Sequence, residues 1–286
     1  MSQFKHIIGN TPLIKISNNI YAKLETYNPT GSVKDRMVYY VVDKAFQQKK
    51  INQASIFCEA TSGNTGIALS AIAASYSVPC KIFMPSNMSE ERRQMMRSYG
   101  AEIIDAPPSD FDTAIEMRDK FIKENKNAWS PMQFSNPDNI ECHKTTTALE
   151  IYEQVTGLEK KWCAFIHGSG TGGTIEGIRQ FVKGKKLDTK VCMVMPAEMP
   201  HGIQGINDGK DFLAKVDCMD EVITIKTDDA IKRAKKLAKD TGILVGISSG
   251  ANVLAAERWA ACNNPKGAVV TILCDRGERY MSVYNS

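Results

Sequence analysis

Trp162-Cys163-Ala164-Phe165-Ile166-His167-Gly168-Ser169-Gly170-Thr171-Gly172-Gly173-Thr174 is the stretch on which the architecture turns. Trp162 to His167 is an apolar, aromatic and β-branched run of strand length, and Ile175 to Val182 shows helical spacing. The loop between them holds more glycine than a strand-to-helix turn needs. Backbone approaches an anion most closely where side chains are absent, and a new helix adds amides and a positive end. The loop therefore reads as a cradle for phosphate. Gly168, Gly170 and Gly173 also spell G-x-G-x-x-G, with Val191 to Met195 as a following strand and Glu198 as a ribose acid. A nucleotide-dependent oxidoreductase stays open on that pattern, although the pattern follows a first complete lobe instead of opening a nucleotide domain.

Outward from this stretch the same order of strand, loop and helix recurs. Ser55 to Cys58 is a strand, and Thr61-Ser62-Gly63-Asn64-Thr65-Gly66 turns into an Ala-rich helix from Thr65 to Ser77. Small residues and hydroxyls at a helix start suit a carboxylate or a phosphate, with plain capping as the competing reading. Strands are expected at Leu13 to Ile16, Ile20 to Leu24, Cys80 to Met84, Ala101 to Asp105, Ile243 to Ile247 and Val269 to Cys274. Helices are expected from Ser89 to Tyr99, Asp110 to Asn125, Asp228 to Lys239 and Ala251 to Cys262. Thr147 and Glu150 spell a capping box. Arg92, Arg93 and Arg97 read as a solvated face. Alternation at this pace predicts the α/β class, with mostly parallel sheets covered on both sides as two three-layer domains. Proline and asparagine between Ala128 and Asn139 break the pattern, which places residues 36–136 in a small domain and 1–35 with 137–286 in a large one.

Asn28-Pro29-Thr30-Gly31-Ser32-Val33-Lys34-Asp35-Arg36 carries the candidate nucleophile. Pro29 and Gly31 stop any incoming helix, and Ser32 can cap a new one with Lys34 in its first turn. Helix amides and Arg36 make a positive field that favours a neutral amine, which is a nucleophile and a base. A solvated lysine paired with Asp35 is the competing reading. At the other end of the chain, Ser248 follows an expected strand, where open α/β sheets bind ligands, and capping is again the alternative.

Composition narrows the partners. The 286 residues are 43% hydrophobic, enough for a substantial core, and 36 basic against 32 acidic residues leave +4, too dispersed for nucleic acid. Eight widely spaced cysteines form no C-x-x-C and no zinc spacing, so no metal is expected and the thiols read as reduced and mostly buried. The first ten residues show no basic-then-apolar signal, and no apolar run nears the ~20 residues of a membrane span. A cytoplasmic location is the expectation.

An amine, an anion cradle and a strand-end hydroxyl are what pyridoxal 5'-phosphate needs: a partner for its aldehyde, its phosphate and its ring nitrogen. From Ile8-Gly9-Asn10-Thr11-Pro12 to Gly277-Glu278-Arg279-Tyr280 the sequence resembles the pyridoxal phosphate enzymes of the tryptophan synthase β fold. Within them it is similar to the cysteine synthase (O-acetylserine sulfhydrylase) family. The resemblance implies that Lys34 bonds the cofactor aldehyde and later serves as base at the substrate α-carbon. It implies that Thr61, Ser62, Gly63, Asn64 and Thr65, with Gln133, hold the substrate carboxylate, Asn64 also reaching the cofactor's ring hydroxyl. Gly170, Thr171, Gly172, Gly173 and Thr174 would hold the phosphate, and Ser248 the pyridine nitrogen.

The implied reaction is ping-pong replacement of acetate in O-acetyl-L-serine by sulfide, with closure of the small domain excluding water. Glu59-Ala60-Thr61-Ser62, Pro85-Ser86-Asn87-Met88-Ser89, Thr145-Thr146-Thr147 and Cys274-Asp275-Arg276-Gly277 resemble the B isoform, which extends the donors to thiosulfate. Pro200-His201-Gly202-Ile203-Gln204-Gly205-Ile206 resembles the A isoform, and Asn207-Asp208 departs from the arginines of B types. The family implies a homodimer, and its A type docks the tail of serine acetyltransferase. Cystathionine β-synthase, which adds homocysteine, is the alternative on the same core.

Overall fold

The computed structural model describes residues 3–61, 63–207 and 212–284. Ser62 lies outside them. In chain order, Leu13–Ser17 (β1), Ile20–Leu24 (β2), Lys34–Gln47 (α1), Ile56–Ala60 (β3), Asn64–Ser75 (α2), Cys80–Pro85 (β4), Glu90–Ser98 (α3), Glu102–Ala106 (β5), Phe111–Glu124 (α4) and Ala128–Trp129 (β6) come first. Asp138–Thr145 (α5), Thr147–Gly157 (α6), Trp162–Gly168 (β7), Gly173–Gly184 (α7), Lys190–Pro196 (β8), Glu221–Ile225 (β9), Thr227–Thr241 (α8), Ile247–Asn263 (α9) and Ala268–Leu273 (β10) follow. Two compact units result. The first takes Met1–Ile8 and Asn28–Gln133, and the second takes Gly9–Tyr27 and Phe134–Ser286.

The first unit is built on a four-stranded parallel sheet ordered β5-β4-β3-β6. Successive strand residues point to opposite faces, and burial sorts accordingly. Phe57, Ile82 and Met84 join Val38, Val41 and Val42 of α1, Ile67, Leu69 and Ile72 of α2 and Met96 of α3. Cys58, Ala60 and Phe83 pack with Ala114 and Phe121 of α4 on the other face. Fully burying a side chain of this size contributes about 1.5–3 kcal/mol. Parity alone thus produces the three layers.

The second unit carries six strands ordered β1-β2-β10-β7-β8-β9, parallel except where β1 meets β2. Ala164, Ile166, Val194 and Val269 face Ala230 of α8 and Ile247, Ala251 and Ala255 of α9. Helices α6 and α7 lie against β7 and β8. Gly177 lets α5 come close to α7, since a Cβ there would stand 2.7 Å from Ile140 O. The fold class and its mostly parallel sheets are as the alternation predicts.

Several elements differ from the sequence reading. Ile243 to Ile247 is not a strand: Val245 forms only an isolated bridge to Arg276, and Ile247 already begins α9. Strand β10 pairs with β2 and β7 on its two sides, so that segment has no free edge there to join. Strand β9 and helix α5 were not anticipated. Thr147 makes no capping box, because α5 runs to Thr145 and the Thr147 hydroxyl meets His143 Nδ1 at 2.9 Å. Arg92 and Arg93 are buried, the latter donating to Pro85 O and Ser86 O and pairing with Asp105; only Arg97 fits the solvated face.

All eight cysteines are free, with Cys218 and Cys262 exposed. Burial pushes the Cys58, Cys80 and Cys192 thiols up to about 12. The thiolate is the reactive form, so at pH 8 roughly one in ten thousand of these three groups is competent. Native protein treated with a maleimide at pH 8 is expected to modify Cys218 and Cys262 first, while Cys58, Cys80 and Cys192 react only after denaturation. Peptide mass mapping reads the order, and early modification of Cys58 would contradict the packing described. Among the described residues, no helix is long and apolar enough to cross a membrane, and no group of three metal-ligating side chains occurs.

Candidate active site

Lys34 is the first residue of α1, and the turn before it is held by charge. Gly31 takes φ of 81°, a conformation glycine adopts without strain, and its amide donates to Asn28 O at 2.7 Å. The wholly buried Asp35 carboxylate receives Thr30 N at 2.6 Å, the Thr30 hydroxyl and, at 3.4 Å, the Ser32 hydroxyl. Ser32 Oγ accepts from Lys34 N at 3.3 Å. Ser32 lies one residue outside the N-cap position, which Val33 takes without a side-chain cap, so the expected Ser32 cap is replaced by this single contact to the Lys34 amide. Lys34 is half-buried on a rigid element.

The same unit holds the second loop. Strand β3 ends at Ala60, Thr61 Oγ1 accepts from Gly63 N at 3.3 Å, and Asn64 starts α2. Gly66 lets α3 approach, since a Cβ there would meet Met96 Cε at 2.8 Å and Thr61 Cγ2 at 2.9 Å. The buried Thr65 hydroxyl donates to Gln133 Oε1 at 2.7 Å, and Gln133 Nε2 donates to Ala60 O at 3.4 Å. Thr65 and Gln133, 68 residues apart, are therefore brought together at the start of a 12-residue helix. First-turn amides have no acceptor within their own helix, and the positive end favours a carboxylate.

In the second unit, Gly172 caps α7 at φ of 87°, and Gly173 is the first helical residue. A Cβ on Gly170 would stand 2.6 Å from Gly205 O, and one on Gly172 would collide with Ala214 N. The loop can lie where it does only without side chains at these points. Thr171 Oγ1 accepts from Asn139 Nδ2 at 3.0 Å and from Gly173 N at 3.3 Å, and Thr174 Oγ1 lies 3.3 Å from His143 Nε2. Asn207 fastens the loop from outside, its Nδ2 donating to Gly170 O at 2.8 Å and its N to Ser169 O at 2.9 Å.

Ser248 is the second residue of α9, not the end of a strand. It is 5% exposed, and among the described residues its hydroxyl has no hydrogen-bond partner. Gly205 faces it, with a would-be Cβ 3.3 Å from Ser248 Oγ. Asn252, one turn on, accepts from Gly168 N at 2.8 Å and donates to Ile272 O at 3.0 Å, tying the ends of β7 and β10 together. Sequence reasoning missed Asn252, Asn139 and His143. The available signal was a polar residue inside the Ala-rich α9; nothing local marked the other two. Glu198 Oε1 accepts from Thr227 N at 2.6 Å at the start of α8, a capping position for the residue read as a ribose acid.

The fold and these loops define a class, and the chain belongs to it: the family described as pyridoxal-phosphate dependent enzymes matches residues 4–275. Among individual relatives, cysteine synthase B of Campylobacter jejuni is 39% identical over 292 residues, covering 96% of this chain and 95% of that protein. A hydrogen sulfide-producing enzyme from Fusobacterium nucleatum is 38% identical with a TM-score of 0.91, covering 97% of this chain and 89% of that one. An O-acetylserine dependent cystathionine β-synthase from Helicobacter pylori is 34% identical with a TM-score of 0.87, covering 99% and 97%.

The cofactor is pyridoxal phosphate, and the residues present suit it. Two threonine hydroxyls and the first-turn amides of α7 are neutral donors for a phosphate, and the half-buried Lys34 is an amine for an aldehyde. The Ser248 hydroxyl, 5% exposed, is a neutral group that can meet an aromatic ring nitrogen.

Proposed function

We propose that this enzyme replaces the acetate of O-acetyl-L-serine with sulfide, forming L-cysteine and acetate. The observation that carries it is the start of α2, where first-turn amides without helical acceptors lie beside the Thr65–Gln133 hydrogen bond, in the same unit as Lys34. The identity to cysteine synthase B over nearly the whole chain supports the same reading.

Bound at Lys34, the cofactor supplies an electron sink that acidifies the substrate α-proton. The protein's residues do the rest. Gly170, Thr171, Gly172, Gly173 and Thr174 hold the phosphate, while Asn64 meets the ring hydroxyl. Thr61, Ser62, Gly63, Asn64, Thr65 and Gln133 bind the α-carboxylate and orient the α-proton toward Lys34. Lys34 Nζ would take that proton as general base, with acetate leaving from the β-carbon. Ser248 is neutral, so it leaves the ring nitrogen without a full positive charge and restrains side reactions at the α-carbon. Residues 36–136 act as the mobile small domain that excludes water before sulfide adds.

A second reading keeps the first half-reaction and changes the nucleophile to homocysteine, favoured by the similarity to the Helicobacter pylori enzyme. Thiosulfate is the third donor to compare. Homodimerisation, a cytoplasmic location and docking of a serine acetyltransferase tail belong to the same proposal. Light scattering and pull-down with that tail test the first and third.

The purified yellow protein, mixed with O-acetylserine, is expected to change its visible spectrum and release acetate before any sulfur donor is added. Subsequent sulfide is expected to yield cysteine faster than homocysteine yields cystathionine. An unchanged spectrum with Lys34 intact would overturn the reading, and preference for homocysteine would select the second one.

A further inference from the structure

Strand β3 delivers a charge that the chemistry above leaves unused. Glu59 has no exposed surface. Its Oε1 accepts from Arg118 Nη1 at 2.7 Å and from Ala60 N at 2.9 Å, and its Oε2 accepts from Gln133 N at 3.2 Å. Arg118, 4% exposed, reaches in from α4 and donates Nε to Asp119 Oδ1 at 2.8 Å. Gln133 receives the Thr65 hydroxyl at its own side-chain oxygen. An unbroken series of hydrogen bonds thus runs from Asp119 through Arg118, Glu59 and Gln133 to Thr65. It joins the surface of α4 to the loop that opens α2.

Stability alone does not account for this arrangement. A buried ion pair can often be exchanged for well-packed apolar residues at no loss, whereas removing one partner is strongly destabilising. What an apolar pair at this place lacks is an acceptor for the Gln133 amide. Gln133 follows the short strand β6 and a stretch with no regular structure, so little in its local backbone fixes it. Burial pushes the Glu59 carboxyl up, and the Arg118 guanidinium is the chief group pulling it back, ahead of the Gln133 and Ala60 amides. Arg118 is thus the chief group favouring the charged carboxylate, whose two oxygens accept from Ala60 N and Gln133 N.

We propose that Glu59 and Arg118 are positioning residues for the substrate α-carboxylate, holding Gln133, and through it Thr65, in the arrangement that receives that group. The inference rests on O-acetylserine being the substrate. It concerns binding of the amino acid and not of the sulfur donor, which gives it a signature that a general loss of structure lacks.

Holoenzyme variants Arg118→Met and Arg118→Lys are compared with wild type in steady-state kinetics and in calorimetric titration with L-serine, which presents the same carboxylate without the acetyl leaving group. For Arg118→Met, the KM for O-acetylserine and the Kd for L-serine are expected to rise together by about 10–100-fold, the size of effect a small misplacement produces. The KM for sulfide and the retained colour are expected to stay within about twofold. Arg118→Lys is expected to recover most of the loss. Should Arg118→Met fail to fold, the double variant Glu59→Gln/Arg118→Met removes both charges together and is expected to show the same selective loss. Wild-type O-acetylserine and L-serine parameters in a folded variant would overturn the proposal, as would equal losses for amino acid and sulfide with no recovery by lysine. A wild-type protein that binds L-serine but does not turn over O-acetylserine would overturn the β-replacement reading instead, and its L-serine titration would still judge Arg118.

Discussion

Lys34→Ala is expected to purify colourless and to lose turnover of O-acetylserine by at least about 10³-fold, while keeping its fold. The fold prediction follows from how the turn is held. Asp35, Thr30 and Ser32 close the loop among themselves, and alanine is the most favourable residue for a helix interior. Deleting the amine removes both the covalent partner for the cofactor aldehyde and the base at the α-carbon. General-base catalysis alone contributes about 10²–10⁴-fold. Absorbance of the dialysed protein, far-UV circular dichroism and initial rates with O-acetylserine and sulfide read the three parts separately. Colour and turnover surviving dialysis in a folded Lys34→Ala protein would return the residue to a solvated surface role. A lost fold would place the fault in the turn.

The contrast with Lys23 shows what a lysine's sequence context does and does not reveal. Lys23 sits in β2, has no exposed surface, donates to Thr11 O at 2.6 Å and to Gln154 Oε1 at 2.9 Å, and pairs with Glu150 at 2.7 Å. Its partners lie up to 131 residues away, so no local pattern announces its burial. Lys34 was legible because a turn, a serine hydroxyl and an apolar helical face surround it within a few residues. The glycine loops were legible for the same reason: their chemistry is carried by backbone freedom and small side chains at a helix start, all local properties. Arg92 and Arg93 were misread because a run of charge in an amphipathic helix normally faces water, and only the fold brings Pro85 O and Ser86 O to Arg93. The Ile243 to Ile247 segment was misread because its β-branched composition fits a strand, while the places beside β10 are already taken. Glu59, Gln133 and Arg118 meet from three separate segments, so their association is a tertiary fact.

Gly172→Ala is expected to release the cofactor, and a matched glycine isolates the reason. Gly172 and Gly242 both hold positive φ, 87° and 74°, and both end or begin a helix in the second unit. Nothing lies within 4 Å of a Cβ built on Gly242, whereas one on Gly172 collides with Ala214 N and stands 2.8 Å from Ala214 Cβ. Gly242→Ala therefore measures the backbone strain by itself, about 1–3 kcal/mol. Gly172→Ala adds overpacking of about 1–3 kcal/mol, and backbone atoms cannot yield as a flexible side chain can. The strain falls on the loop whose amides and hydroxyls would hold the phosphate. Cofactor affinity is therefore expected to drop by at least about tenfold, which corresponds to about 1.4 kcal/mol. Thermal melts of both variants, with and without added pyridoxal phosphate, separate the contributions. Gly172→Ala should melt below Gly242→Ala by about 2–4 °C for each kcal/mol of difference and require more cofactor to recover its colour. Equal melting temperatures and equal cofactor retention would mean that the Gly170–Thr174 loop tolerates a side chain. In that case close approach of backbone would not be the basis of the phosphate site.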